Sequence, residues 1–128
     1  MYQDEVLIIT NNPMVKNIDK YEICWVEGKV EDVYYQTLNW IAAGHKLLSH
    51  PLAGSIKPNQ NPYRSIVVSK KQGLPDEGDL KIINYALEKV EAMVAEPTRP
   101  DLKVDYAEDF QLVDKELLLS ALDSLLER

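Results

Sequence analysis

Side chains that donate hydrogen bonds or carry positive charge are concentrated between His45 and Ser65, a stretch with no Asp or Glu. Those that could bind a ligand are Lys46, Ser49, His50, Ser55, Lys57, Tyr63 and Arg64. Ammonium, guanidinium and hydroxyl donors bind carboxylate and phosphate groups, and prolines stiffen the segment that carries them. We therefore predict a site for a small carboxylate or phosphate on this stretch. The alternative is a structural loop whose charges are only solvated.

The lack of acidic residues extends from Val33 to Pro75, and the lysines and arginine in this window give it a formal charge of +5. The chain as a whole carries −7, so the remainder carries −12. A net acidic protein is a poor ligand for nucleic acids and anionic membranes, and we predict neither as a partner.

His50 is the best candidate for proton transfer, because it lies at the end of a short predicted strand and histidine is a common proton-transfer residue. The alternative, a histidine hydrogen-bonded to loop backbone, is the one that the sequence alone favours. Paired with His45, it lacks the nearby carboxylate or thiolate that a metal site needs, so no metal is predicted. Nucleophile-elbow, P-loop and dinucleotide motifs are absent, so the sequence predicts neither a cofactor nor a reaction.

Short apolar runs alternate with amphipathic segments along the chain, a pattern typical of α/β proteins. We predict strands at 5–10, 21–28, 46–49 and 65–69, helices at 30–43 and 80–94, an edge strand at 109–114, and a last helix capped by Asp114. These elements predict one domain over residues 1–128, with a small, mainly parallel sheet covered by helices in a Rossmann-like three-layer arrangement. The connection between the first two strands is too short for an ordinary crossover helix, and its form is left open.

Asn11 and Asn12 directly follow the first predicted strand. In open α/β sheets ligands bind beyond the carboxyl ends of the strands, so both asparagines are predicted to bind the ligand with the basic stretch. The alternative is turn chemistry, since asparagine side chains often bond their own backbone.

The N-terminus lacks a basic start and a long apolar run, and Cys24 is the single cysteine. We therefore expect no secretion signal, no disulfide and a cytoplasmic location. Leucines on more than one face of the last helix, such as Leu117 and Leu119, suggest a homodimer contact.

Three segments, "LIITNNPMV", "GHKLLSHPLAGSIKPNQNPYRSIVVSK" and "EDFQLVD", resemble the GrdX family. The family consists of small cytoplasmic proteins encoded beside the components of glycine, sarcosine and betaine reductase in anaerobic, mostly clostridial bacteria. The resemblance implies an accessory role in this metabolism, and it carries over no activity and no catalytic residue. Two functions stay open: a protein that binds a small anion, and a non-catalytic assembly or regulatory module that contacts a reductase component.

Overall fold

The computed structural model of the protein describes residues 1–52, 61–95 and 106–126. The elements in this part of the chain are β1 (Val6–Thr10), α1 (Pro13–Lys16), β2 (Glu22–Trp25), α2 (Val30–Ala42), β3 (His45–Leu47), β4 (Ser65–Gln72), α3 (Glu77–Val94) and α4 (Ala107–Leu126). Among the described residues, no helix combines the length and apolar character that crossing a membrane requires.

The strands form one sheet in the order β2-β1-β4-β3. β1 and β2 are parallel, whereas β4 runs antiparallel to both of its neighbours, β1 and β3. The α/β class is confirmed, and the predicted mainly parallel, Rossmann-like sheet is wrong. An uninterrupted apolar strand indicates only that both faces are buried. A central antiparallel strand between two helical layers is buried in the same way, so the pattern does not determine strand direction.

The strand directions bring several chain segments to one edge of the sheet. Thr10, the last residue of β1, lies beside Trp25 at the end of β2 and beside Ser65 at the start of β4. β3 opposes β4 as β1 does, so β3 also ends on this side. We call this the carboxyl edge. β1 and β3 therefore end at the same edge, as the prediction that groups Asn11 and Asn12 with the basic stretch requires, although the sheet is mixed.

Helices cover both faces of the sheet, because side chains of β1 and β4 point alternately to opposite sides. One face packs on α2 and α3, and its buried residues include Leu7, Ile9, Ile66, Val68, Val33 and Ile83. The other packs on α1 and α4 through Val6, Ile8, Val67, Val15, Leu118 and Leu122. The apolar strands β1 and β4 thus have a helical layer on each side.

The connection left open by the sequence contains a single helical turn, α1. Asn12 caps it by accepting a hydrogen bond from the Met14 backbone N–H at 3.0 Å, and Pro13 occupies the first helical position. Proline suits this position because its missing N–H would have no helical partner. Val15 of this turn is fully buried against the α4 side of the core.

The predicted helix at 30–43 is confirmed as α2, and Gly44 ends it with a φ of 110°. That left-handed backbone is the conformation that favours glycine after a helix. The helix predicted at 80–94 is confirmed as α3, which begins at Glu77, and Asp76 caps it by accepting from the Asp79 backbone N–H at 3.0 Å.

The predicted edge strand at 109–114 is wrong, because these residues belong to α4. Asp114 is therefore not the cap of the last helix but lies inside it. Its side chain is buried on the same face as Leu118 and Leu122, at the spacing of four that aligns residues along a helix. Because this charged residue takes a core-facing position, it interrupts the apolar stripe, and apolar periodicity does not indicate the first turns of α4.

Candidate functional site

A buried carboxylate lies at the centre of the carboxyl edge. Asp114, only 4% exposed, enters from α4 and accepts two hydrogen bonds on the same oxygen, Oδ2. Asn12 Nδ2 donates at 2.9 Å and Ser65 Oγ donates at 2.7 Å. Three separate segments of the chain, after β1, at the start of β4 and on α4, therefore meet at one carboxylate.

The hydroxyls of Thr10 and Ser65 form a directed chain of hydrogen bonds that ends on this carboxylate. Their oxygens lie 2.7 Å apart. Ser65 has one hydroxyl proton and donates it to Asp114, so Thr10 donates to Ser65. Thr10 Oγ1 in turn accepts from the Asn12 backbone N–H at 3.0 Å. Each donor polarises the next, which strengthens the bond that reaches Asp114.

Burial raises the pKa of the Asp114 carboxyl above its ordinary value, because the interior solvates the charged form poorly. The hydrogen bonds from Asn12 and Ser65 and the positive charge of Arg64 oppose that shift. The net direction is upward. The carboxyl edge therefore holds a carboxyl group that takes up a proton more readily than an exposed aspartate does.

Both asparagines that were predicted to bind a ligand use their amides to hold the protein together. Asn11 Nδ2 donates to the carbonyl oxygens of Gly28 at 3.3 Å and Pro62 at 2.9 Å, and Asn11 Oδ1 accepts from the Arg64 backbone N–H at 2.9 Å. Asn12 Nδ2 reaches the Gln111 carbonyl oxygen at 2.8 Å as well as Asp114. Their position at the edge agrees with the prediction, but their donors already bind protein groups.

A small cavity of about 30 Å³ lies beside Asp114, and we call it the Asp114 cavity. Its polar wall consists of Ser49, His50, Arg64, Ser65 and Asp114. Its apolar wall is the part of α4 that carries Leu117, Leu118 and Ala121. Arg64 is only 7% exposed, so a buried cation and a buried carboxylate line the same space.

His50 lies at the exposed rim of this cavity. Its Nδ1 accepts a hydrogen bond from the Leu52 backbone N–H at 3.1 Å, so the neutral ring carries its proton on Nε2. The carbonyl oxygen of the next residue, Pro51, accepts from the buried hydroxyl of Tyr34 on α2 at 2.5 Å. Burial raises the pKa of Tyr34 to about 12, so this tyrosine remains a neutral donor that fixes the segment.

The remaining predicted site residues have different positions. Ser49 lines the cavity, and its Oγ accepts from the Val67 backbone N–H at 2.9 Å. Tyr63 is half-buried next to Arg64, and its backbone N–H donates to Asn61 Oδ1 at 2.9 Å. Ser55 and Lys57 lie outside the described residues.

Lys46 does not line the Asp114 cavity with the other predicted residues. Strand β3 carries it toward α3, where its Nζ lies 3.4 Å from Asp76 Oδ2. It lines a larger, open depression of about 670 Å³, together with Lys70 and the N-terminal segment. Lys70 there lies 3.7 Å from Glu22. Exposed ion pairs such as these contribute little to stability and leave both charges in contact with water. The buried charged residues lie at the Asp114 cavity instead, and we therefore place the candidate site there.

Sequence reasoning missed Asp114 and Thr10 as members of the site. Asp114 is separated by 49 residues from Ser65 and by 102 from Asn12, and nothing local indicates these contacts. The available signal was its spacing of four and eight residues from Leu118 and Leu122, which places it on the core-facing side of a helix. Within the described part of the chain, no group of three His, Cys, Asp or Glu side chains could hold a metal ion.

Comparison with known proteins gives one match. A family model described as GrdX-like protein matches residues 7–123, which is most of the chain and includes every element from β1 through most of α4. No curated protein and no solved structure is significantly similar to the chain. The family match confirms the resemblance carried by the three sequence segments, and the chain therefore belongs to the GrdX-like protein family.

Proposed function

We propose that the protein is an accessory protein of anaerobic glycine, sarcosine and betaine reductive metabolism that binds a small carboxylate or phosphate at the carboxyl edge. The family match over residues 7–123 supports the metabolic setting, because the resemblance that it confirms implies that setting. The residues around the Asp114 cavity support the binding role.

The single observation that carries the anion-binding proposal is that Arg64, a buried basic residue, lines the Asp114 cavity. Arginine is rarely buried this deeply, and a cation lining a cavity attracts a ligand carboxylate or phosphate in a medium that screens charge poorly. Its charge acts on both neighbouring acidic groups, because it lowers the pKa of Asp114 and of Tyr34 against the effect of burial. The same field would act on a bound anion.

His50 adds a second donor at the mouth of this cavity. With Nδ1 occupied by the Leu52 backbone N–H, its Nε2 is the ring atom left to donate to a ligand oxygen. In an enzymatic version of the function, this is the atom that transfers a proton, with Arg64 and Lys57 holding the anion.

Asp114 favours a carboxylate over a phosphate as the ligand. A phosphate carries up to twice the negative charge, and the two anions would repel each other across a cavity of about 30 Å³. A singly charged carboxylate meets less repulsion and is small enough to lie at the rim near His50.

The alternative function, a non-catalytic assembly or regulatory module, is supported by the outer surface of α4. Leu112 is 48% exposed, and Leu117 and Tyr106 are also exposed, so this region of the chain offers apolar contacts to a protein partner. A reductase component or a second copy of the chain would bury such residues. The basic stretch from His45 to Ser65 would then contact an acidic surface of the partner.

Titration calorimetry with acetate, acetyl phosphate and inorganic phosphate tests the anion-binding proposal. We expect acetate to bind the wild-type protein and to bind at least tenfold more weakly to the double variant Lys57→Ala with Arg64→Gln. Lys81→Ala, an exposed lysine on α3, is the matched control and should bind as the wild type does. Circular dichroism of each variant verifies folding.

Absence of binding by all three anions to the folded wild-type protein would overturn the proposal. Capture of a purified reductase component by the same preparation would then support the assembly function. In that case Leu112→Asp and Leu117→Asp should abolish capture, whereas Lys57→Ala should weaken it in a salt-dependent way.

A further inference from the structure

The Asp114 cavity has walls of opposite charge. Asp114 enters from α4, and Arg64 and His50 enter from the segments that flank β4 and β3. Asp114 and Arg64 are both buried, so neither charge is well solvated by bulk water. A site meant for a simple anion does not need a carboxylate in its wall, because that group repels the ligand.

The carboxylate of Asp114 keeps a capacity to accept a hydrogen bond. The side-chain donors Asn12 and Ser65 both reach Oδ2. The backbone N–H of Ser65 also acts on the carboxylate, as the weakest of the influences on its pKa. A carboxylate offers about four lone-pair positions, so Oδ1 can receive a strong donor, and an ammonium group supplies three N–H bonds.

From these observations we propose that the Asp114 cavity binds a small zwitterion, with its ammonium group on Asp114 and its carboxylate toward Arg64 and His50. The inference rests on the anion-binding function proposed above and names the ligand class of that same site. A zwitterion brings no net charge, and each of its ends meets the opposite charge in the cavity walls. A simple anion can pair only with the positively charged wall.

The size of the cavity restricts the ligand further. A group the size of a water molecule needs a cavity volume of at least about 10–15 Å³. The Asp114 cavity, with about 30 Å³, therefore holds two or three such groups. An ammonium group and the carbon that bears it therefore fill the interior. The carboxylate lies at the mouth, where His50 is exposed. Amino acids with large side chains, and ammonium groups that are fully methylated, should be excluded because of their volume.

The structure provides an isosteric change that separates the two ends of such a ligand. Asp114→Asn keeps the shape of the side chain and removes the charge that would receive an ammonium group. Asp123 lies exposed on the same helix, so Asp123→Asn is the matched control. The charge change is equal in the two variants, and only one of them lines the cavity.

The test is titration calorimetry of wild type, Asp114→Asn and Asp123→Asn with glycine as the smallest zwitterion, and with acetate, methylamine and N,N,N-trimethylglycine. We expect wild type to bind glycine at least tenfold more tightly than acetate or methylamine, and to bind the trimethylated compound at least tenfold more weakly than glycine. Asp114→Asn should lose at least tenfold in glycine affinity while its acetate affinity stays equal or rises. Asp123→Asn should match wild type.

The failures of the two proposals are distinguishable. If acetate binds wild type as tightly as glycine does, the zwitterion inference is overturned and anion binding stands. If glycine does not bind but acetyl phosphate or inorganic phosphate does, only the zwitterion inference is overturned. If glycine and all three anions fail to bind, both proposals are overturned. Should Asp114→Asn fail to fold, the comparison of glycine, acetate and methylamine on wild type still decides, because only a two-signed site favours glycine over both.

Discussion

The packing of the carboxyl edge predicts that Asn12 is one of the most important polar residues for stability. Its side chain is completely buried and makes three hydrogen bonds, one to the neighbouring helical turn α1 and two to the distant helix α4. Oδ1 caps α1, and Nδ2 binds the carbonyl oxygen of Gln111 and the carboxylate of Asp114. Replacing it with alanine removes all three bonds. The Met14 N–H loses its acceptor, and the Gln111 carbonyl oxygen and the Asp114 carboxylate lose a donor.

The expected loss follows from these contacts. Removing a helix N-cap costs about 1 kcal/mol. Losing a hydrogen bond to a buried neutral carbonyl costs about 1 kcal/mol, and losing one to a charged group costs about 2 kcal/mol. Asn12→Ala should therefore lower the free energy of unfolding by about 4 kcal/mol. Natural domains have only about 5–15 kcal/mol in total, so the variant should be close to the limit of folding.

Urea unfolding followed by circular dichroism measures this loss. With a slope of about 2 kcal/mol per molar urea, the midpoint should fall by about 2 M, and the slope itself should not change. Asn17→Ala is the matched control, because Asn17 follows the same helical turn but is exposed, with a single 3.4 Å bond to the Pro13 carbonyl oxygen. Exposed substitutions of this kind change stability by less than about 0.5 kcal/mol.

A loss below about 1 kcal/mol for Asn12→Ala, or a loss equal to that of Asn17→Ala, would refute this reasoning. Either result would mean that the bonds to Gln111 and Asp114 do not hold α4 against the sheet. The carboxyl edge would then lack the rigid arrangement on which a preorganised binding site depends.

Three further outcomes are expected from other parts of the fold. Burial raises the pKa of Asp114 above 3.8, so the folded state binds the proton of this carboxyl more tightly than the unfolded state does. The contribution of Asp114 to the free energy of unfolding should therefore fall as pH rises from 3.8 through the folded pKa. Urea unfolding measured across this pH range should show that decrease for wild type and not for Asp114→Asn. Gly44→Ala should lower the free energy of unfolding by more than about 1 kcal/mol, because φ is 110° and a Cβ would overlap the Gly73 carbonyl oxygen. Gly73→Ala is the control: the nearest contact of its Cβ is at 3.9 Å, so its thermal melt should match that of wild type. Leu118→Ala should cost about 2–5 kcal/mol in urea unfolding because it empties a buried position, and exposed Leu112→Ala should cost less than about 0.5 kcal/mol.

The sequence predicts the elements of this fold better than their directions. Apolar runs and helical stripes locate β1, β4, α2 and α3, because each pattern is local and reports which faces are buried. Strand direction depends on how distant segments pair, and β4 inserts antiparallel between β1 and β3 without any local mark of its direction. The prediction of a mainly parallel sheet failed for that reason.

The candidate site was predicted in part for the same physical reason. Residues adjacent to strand ends, such as Asn11, Asn12 and Arg64, do meet at the carboxyl edge. Asp114 comes from a helix far along the chain, and its core-facing position interrupts an apolar stripe. Lys46 lies within a strand rather than after it, so the strand carries it to a different partner, Asp76.

The position of Asp114 changes the meaning of the positively charged window. A charge of +5 over residues 33–75 suggests a strongly cationic surface, but Lys46 and Lys70 pair with exposed carboxylates away from the cavity. Among the described residues that line the cavity, the buried ones with ionisable side chains are Arg64 and Asp114. Interior charges act more strongly than solvated ones, so in the proposed site this pair would outweigh the surface lysines in selecting a ligand. Ligand selection at the carboxyl edge should therefore depend on the separation of two opposite charges rather than on the sign of the window's net charge.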